Sequence, residues 1–240
     1  MQVVKSVLVA GIASVVFASS ANALSLADFG VNVDGNFVDP PGVTNYLDDN
    51  GLGSVFVRVD STLDITSQFF VLGYFDYDLG DFYDDDGGVE IGSPGSGQSW
   101  EIDEPGFCDT NVTPGCHLGD IYDNFQLSDE TGSALDNSIG TLNPEDVSMA
   151  MGWNFSLVQN QTALIKFLVA TTEPASGFYL RQADPDSLDD SGALAPVDIY
   201  LSSTIDFRSG GTGVPEPATL ALLGIGLLGL WQTHRRQAVT

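Results

Sequence analysis

Apolar residues alternate with other residues in several segments of this 240-residue chain, and this period-two pattern most limits what the chain can fold into. In segment 149–157, the residues that share one face are Met149, Met151, Trp153, Phe155 and Leu157. Segments 55–60 and 197–202 repeat the pattern well, and segment 121–127 repeats it less cleanly. Because such alternation is typical of strands with one buried face, each segment predicts a β-strand.

Two further segments, residues 69–75 and 164–169, are more continuously apolar, which is typical of strands buried on both faces. Between the two ends of the chain, no segment of residues 24–213 sustains an amphipathic helix of three turns. Turn-forming Gly, Pro, Asn and Asp residues separate the candidate strands. We therefore predict an all-β fold, an antiparallel β-sandwich of the jelly-roll or immunoglobulin-like type, with the strand order left open.

Charge is distributed very unevenly between the two signs. The chain carries 33 acidic and 7 basic side chains, a formal net charge of -26. Within residues 24–213 the counts are 32 acidic and 4 basic side chains. Such a body repels nucleic acid and anionic lipid, and it favours association with divalent cations. Since 43% of the residues are hydrophobic, the body still has enough apolar material for a core.

The N-terminus has the three parts of a secretory signal. Lys5 supplies a positive charge, residues 7–17 form an apolar run, and Ala21 and Ala23 are the small residues that signal peptidase reads. The alternative interpretation is a short buried helix. The signal interpretation predicts cleavage after Ala23, so that the mature protein begins at Leu24 after passing through the secretion machinery.

The C-terminus has the features of a short membrane anchor. After Val214, Pro215, Glu216 and Pro217, an apolar stretch of 14 residues runs over 218–231. As a helix it spans about 21 Å, against about 30 Å for a hydrocarbon core. Trp231 and the arginines that follow it extend the effective reach toward the headgroups. We predict a single transmembrane helix in the inner membrane, with its basic end, Arg235 and Arg236, in the cytoplasm.

This arrangement resembles the PEP-CTERM sorting tail of exported proteins from Gram-negative bacteria. The resemblance covers about 25 residues, namely the motif at 214–217, a Leu/Gly-rich helix and a terminal Arg pair. It implies that an exosortase, a membrane-embedded cysteine transpeptidase, recognises the tail and cuts near the motif. It also implies an association with exopolysaccharide and biofilm formation, and it supplies no activity for the body. An ordinary C-terminal membrane anchor is the alternative interpretation.

These interpretations divide the chain into four parts. Residues 1–23 are the predicted signal peptide, residues 24–208 the β-sandwich body, residues 209–213 a flexible linker, and residues 214–240 the sorting tail. The predicted localisation is therefore membrane-anchored before processing, then at the cell surface or extracellular.

The two cysteines, Cys108 and Cys116, enclose a turn-prone loop. In an oxidising compartment such a pair most simply forms a disulfide, which would contribute at most about 2 to 3 kcal/mol. A metal site that includes His117 is the alternative, although the sequence offers no fourth ligand at the spacing of a zinc motif.

An acidic segment with interspersed glycines indicates a calcium site. Ca²⁺ takes six to eight oxygen ligands on a chain that can turn tightly around it. The candidate ligands are Asp76, Asp78, Asp81, Asp84 and Asp86. The spacing departs from that of an EF-hand, and solvated acidic loops without a metal are the alternative.

The sequence favours a non-catalytic body. His117 is the sole histidine of the body, and no nucleophile-elbow, zinc-protease or phosphate-loop motif is present in it. The first hypothesis is a surface or extracellular-matrix protein. The alternative is a calcium-assisted carbohydrate-binding module, and a glycoside hydrolase acting through paired carboxylates is a third class. Aromatic residues in or near the acidic loops could stack on sugars or pack in the core, namely Tyr74, Tyr77, Phe82, Tyr83 and Trp100.

Overall fold

A computed structural model describes residues 24–62, 65–79, 86–106, 119–128, 132–140, 147–184 and 197–209. These residues form ten strands and one helix. The strands are β1 (Leu24–Val33), β2 (Val43–Leu47), β3 (Gly53–Asp60), β4 (Ser67–Leu79), β5 (Gly87–Ile91), β6 (Gln98–Asp103), β7 (Ser148–Leu157), β8 (Gln161–Ala170), β9 (Tyr179–Asp184) and β10 (Val197–Ser209). The helix, α1, is Ile121–Leu127.

The strands form two antiparallel sheets, so the all-β prediction is confirmed. The four-stranded sheet has the order β1-β4-β7-β6, and the six-stranded sheet has the order β2-β3-β8-β10-β9-β5. Every pair of neighbouring strands is antiparallel. The described residues contain no helix long and apolar enough to cross a membrane, and the predicted transmembrane helix in 214–240 lies outside them.

The main hydrophobic core lies between the two sheets. The predicted face of β7 contributes to it, and so do Val55, Val57 and Val59 of β3, as the alternation predicted. Phe75 of the four-stranded sheet and Phe167 of the six-stranded sheet meet with their ring centroids 6.2 Å apart. The indole Nε1 of Trp153 donates a hydrogen bond of 2.9 Å to Ser203 Oγ across the same interface.

A second core lies on the outer face of the four-stranded sheet, where α1 covers it. Ile121 and Phe125 of the helix pack there against Phe70, Leu72 and Tyr74 of β4. This second core buries the other face of β4, which confirms the prediction that segment 69–75 is buried on both faces.

The strand predicted over 121–127 is wrong, because this segment is α1. Ile121 and Phe125 are four residues apart, a spacing that places two residues on one face of a helix as well as of a strand.

The prediction of burial on both faces is also wrong for segment 164–169. Ile165, Phe167 and Val169 of β8 are buried, whereas Leu164, Lys166 and Leu168 are half-buried on the outer face.

Candidate functional site

Three carboxylates form an acidic cluster beside α1, which we call the acidic centre: Glu101, Asp103 and Asp120. One oxygen from each lies within 4.8 Å of the others. Glu101 and Asp103 belong to β6, where Trp100 and Ile102 face the main core. Strand alternation therefore places both carboxylates on the outer face of the four-stranded sheet. Asp120 directly precedes α1 and completes the cluster.

Hydrogen bonds from backbone N–H groups and one side-chain amide hold the acidic centre in place. The side-chain amide of Asn124, on α1, donates to both oxygens of Glu101 at 3.0 and 3.1 Å. The backbone N–H of Asp136 also donates to Glu101, at 3.3 Å. Asp103 accepts the backbone N–H groups of Glu104 and Asp120, at 2.9 and 3.0 Å. These bonds tie α1 and the 132–140 segment to the edge of the sheet.

Burial changes the acid strength of this cluster. Glu101 is 1% exposed and Asp103 is 6% exposed. Burial raises the pKa of Glu101 to about 8, although the hydrogen bonds from Asn124 and Asp136 oppose the shift. Burial likewise raises the pKa of Asp103. At neutral pH, Glu101 is therefore largely a neutral acid unless a cation compensates its negative charge.

The acidic centre offers oxygen ligands of the kind that Ca²⁺ prefers. With one oxygen from each carboxylate, the cluster supplies three of the six to eight oxygens that Ca²⁺ takes, so water or backbone oxygens would have to complete its shell. A bound cation would also stabilise the ionised form of the buried carboxylates. The residues thus fit a calcium ion in chemistry, and they supply about half of its ligands.

The sequence-predicted calcium ligands do not coincide with the acidic centre. Asp76 lies on the same outer face and accepts a 3.0 Å hydrogen bond from Ser148, which pairs with both Asp76 and Asp103 in the sheet. Alternation along β4 places Asp78 on that face too. Asp86 instead accepts a 2.7 Å hydrogen bond from the side-chain nitrogen of Gln182, which also donates to the backbone carbonyl of Tyr77. Asp81 and Asp84 lie outside the described residues, and the site remains a prediction.

The aromatic residues suggested for sugar stacking are core residues where the structure describes them. Tyr74 and Tyr77 are fully buried, and Trp100 is 6% exposed. Trp100 packs on Phe178 between the sheets, with ring centroids 5.8 Å apart. Phe82 and Tyr83 lie outside the described residues. The exposed aromatic pair of the described chain is elsewhere, at Tyr46 and Phe56 on the six-stranded sheet.

Sequence reasoning missed the acidic centre, although a usable pattern was present. Segment 98–103 alternates, with Trp100 and Ile102 on one face and Glu101 and Asp103 on the other. Asp120 could not be associated with them from sequence, because it reaches β6 only through the tertiary placement of α1.

Several predicted site residues lie outside the described residues. They are the cleavage residues Ala21 and Ala23, the cysteines Cys108 and Cys116, the motif residues Val214, Pro215, Glu216 and Pro217, and the terminal pair Arg235 and Arg236. The disulfide and the cleavage site therefore stay predictions.

Comparison with known families bears on the C-terminal tail. Residues 213–236 match the PEP-CTERM protein-sorting motif, so the resemblance noted in the sequence is confirmed over this segment. The match supports an exported protein and implies an exosortase as its processing partner. No curated protein and no solved structure is significantly similar to this chain. The body thus has no identified family.

Proposed function

We propose that this chain is an exported surface or extracellular-matrix protein of a Gram-negative bacterium, sorted by an exosortase through its tail and associated with exopolysaccharide in a biofilm. The observation that carries the proposal is the match of residues 213–236 to the sorting motif, directly after a folded β-sandwich body. In this account the body has a binding or structural role, and the tail determines where it acts.

The route follows from the two ends of the chain. Signal peptidase removes residues 1–23 after export, and the helix of 214–240 then holds the body outside the inner membrane. Exosortase cuts near Pro215, Glu216 and Pro217 and releases the body to the cell surface or the medium. An oxidising exterior suits the proposed Cys108–Cys116 disulfide.

The burial of the acidic centre supports a non-catalytic body. A glycoside hydrolase needs two carboxyl groups that contact the substrate. Glu101 and Asp103 are 1% and 6% exposed and are bonded to Asn124 and to backbone N–H groups. A polysaccharide could not reach this pair without displacement of α1.

Within the sandwich class, we propose the jelly-roll type. Consecutive strands repeatedly change sheet, as from β3 to β4, from β4 to β5 and from β5 to β6. Such alternation between sheets is more typical of jelly rolls than of immunoglobulin-like domains.

A calcium-assisted carbohydrate-binding module is the second candidate. The exposed aromatic side chains of Tyr46 and Phe56 favour a sugar-binding face. The acidic centre supplies oxygen ligands for Ca²⁺ on the opposite outer face, so an ion bound there would stabilise the fold and would not contact the sugar. This second candidate is compatible with the first proposal, because binding of a matrix sugar would be the means by which the exported protein is retained.

Substitution of the motif tests the proposed sorting route. We expect a variant with Pro215, Glu216 and Pro217 all changed to Ala to stay in the membrane fraction at unprocessed mass. The wild-type protein should appear in the surface or matrix fraction without its basic end. A matched variant with Thr212→Ala, just before the matched segment, should behave as wild type. Recovery of the motif variant from the matrix with a normal processed mass would contradict the proposal.

A further inference from the structure

All four basic side chains of residues 24–209 lie on one face of the molecule, the outer face of the six-stranded sheet. They are Arg58, Lys166, Arg181 and Arg208. In β8, the buried residues Ile165 and Phe167 flank Lys166, so its side chain points away from the core. Val57 and Val59 place Arg58 on the outer face of β3 in the same way. In a body with 32 acidic residues, this segregation concentrates the positive charge on one face.

Three of these cations converge on one groove, which we call the basic groove. Its volume is about 320 Å³, and its lining includes Phe56, Arg58, Leu164, Lys166, Asp206 and Arg208. In the sheet, Lys166 pairs with Phe56 on one side and with Thr204 on the other. Leu164 pairs with Arg58 and Asp206 in the next outward-facing row, and Thr162 pairs with Arg208 in the row after that.

The basic groove also has an aromatic wall. Phe56 is 40% exposed, and Tyr46 packs edge-on against it with ring centroids 5.9 Å apart. Lys166 Nζ lies 5.8 Å from the centroid of the Phe56 ring. A flat apolar surface beside fixed cations suits a sugar ring that carries an acidic group.

Positive charge exceeds negative charge in the groove. Arg58 is held by Asp60 through hydrogen bonds of 2.8 and 3.0 Å. Within the described residues, neither Lys166 nor Arg208 forms an ion pair. Asp206 is the acidic residue of the groove lining, so Asp60 and Asp206 together leave one of the three positive charges uncompensated.

We propose that the basic groove binds an acidic polysaccharide, with sugar carboxylates on Arg58, Lys166 and Arg208 and a sugar ring against Phe56. This inference rests on the proposed function and names the class of matrix polymer that the body recognises. Strand geometry places the Cα atoms of Arg58 and Arg208 about 8 and about 14 Å from that of Lys166. Successive acidic sugars of one chain could therefore contact successive cations.

The net negative charge of the protein does not prevent this binding. At physiological ionic strength the Debye length is about 8 Å, so the distant acidic loops are largely screened from a ligand in the groove. Arginine forms paired, charge-assisted hydrogen bonds with carboxylates, and these bonds act at contact distance. A recessed groove also suits a polymer chain that lies within it better than a flat lipid surface.

Fluorescence anisotropy with labelled oligogalacturonate tests the proposal, using the full-length chain in a polyether detergent at about 0.15 M salt. We expect the wild-type chain to bind oligogalacturonate and not a neutral maltooligosaccharide of equal length. The double variant Lys166→Gln/Arg208→Gln should weaken binding by about tenfold or more. Lys166→Arg keeps the charge, so its affinity should stay within about twofold of the wild-type value.

Arg181→Gln is the matched control. Arg181 lies on the same face but outside the groove, where Asp198 binds it at 2.8 Å. Its loss removes one positive charge and should leave binding within about twofold of wild type. The substituted groove residues are half-buried or exposed, and thermal melts verify that each variant is folded.

Several outcomes would overturn the proposal. They are the absence of oligogalacturonate binding, equal binding of the neutral sugar, an equal loss in Arg181→Gln, or no loss in the double variant. Displacement of the labelled sugar by short-chain phosphatidylglycerol at lower concentrations than by unlabelled oligogalacturonate would assign the groove to anionic lipid instead.

Failure of this inference can be told apart from failure of the proposed function. In cells, the double variant should be exported and its tail processed as in the wild type, because the groove has no part in sorting. Normal processing without sugar binding would refute the groove alone. A tail that is never processed would refute the sorting proposal whatever the groove binds.

Discussion

Glu101 shows how one buried carboxyl group responds to its surroundings. Its side chain is 1% exposed, beside Asp103 and Asp120, and burial raises its pKa to about 8. The unfolded chain returns this carboxyl to a pKa of about 4.5. Since the folded state holds the proton more tightly, folding is linked to pH through this residue.

The stability contribution of Glu101 should be lost as pH rises. It is fully present below about pH 4.5, declines as pH increases, and is gone above about pH 8, because the folded state must then hold a buried carboxylate. The loss is of the order of a few kcal/mol. We expect Glu101→Gln to unfold at a higher temperature than wild type at pH 8.5 and to show a smaller difference at pH 4.5, in melts with a chelator present.

Glu90→Gln provides the control for this pH series. Glu90 is exposed on β5, so its substitution should leave the difference from wild type constant across the range. If the wild-type and Glu101→Gln melts differed by the same amount at pH 4.5 and pH 8.5, the linkage would be absent.

The acidic centre also predicts a pH-dependent effect of calcium. Ca²⁺ binds the ionised carboxylates, so it should raise the melting temperature more at pH 8 than at pH 5, and EDTA should reverse the increase. Asp103→Asn should remove most of this effect, whereas Asp39→Asn, at an exposed loop position, should preserve it. An unchanged melting temperature on addition of Ca²⁺ and EDTA would remove the calcium prediction.

At the scale of single elements, α1 shows where periodicity fails. A seven-residue segment with Ile121 and Phe125 on one face satisfies both a strand and a helix pattern. The choice depends on tertiary packing, because the helix covers the second core on β4. In β8, the sequence pattern predicted more burial than the structure has. Leu164 and Leu168 suggested burial on both faces, yet α1 covers only the four-stranded sheet, and the outer face of β8 has no comparable cover among the described residues.

Asn32 should control the attachment of α1. It is fully buried in β1, and its side-chain nitrogen donates to the carbonyls of Phe125 and Ser128 at 2.7 and 2.9 Å. We expect Asn32→Ala to cost about 1 to 3 kcal/mol, because it leaves these carbonyl groups without their donor. Hydrogen exchange should accelerate at residues 121–128 before it does so in β7.

Asn45→Ala is the comparison for this substitution. Asn45 is exposed on β2, and its side-chain oxygen accepts the backbone N–H of Leu47 in the same strand. Its loss should leave exchange in α1 unchanged. Uniform acceleration of exchange throughout the chain in Asn32→Ala would argue against a local role for Asn32.

At the scale of the whole molecule, the sequence predicted what depends on local pattern. The alternation in β3, β7 and β10 was enough for an all-β fold, and the tail residues from Val214 to Arg236 were enough for the sorting motif. The alternation of segment 98–103 could have indicated Glu101 and Asp103, but the association of Asp120 with them and the basic groove were not predictable, because each joins residues distant in sequence. Arg58, Lys166 and Arg208 become neighbours only through the pairing of β3, β8 and β10.

The tail and the body of the molecule have different roles in this account. The tail determines localisation through residues that match a known sorting motif, whereas the body has no identified family and offers an acidic centre and a basic groove on opposite outer faces. The proposed matrix role depends on both parts, since an unsorted body would not reach the polymer that we propose it binds.

Intact-mass spectrometry of the protein from cells with and without exosortase tests the central claim most directly. With the enzyme present, we predict a mature species that begins at Leu24, lacks Arg235 and Arg236, and is found outside the inner membrane. Without the enzyme, the species should keep its C-terminus and stay in the membrane. An identical mass and location in both strains would contradict the account.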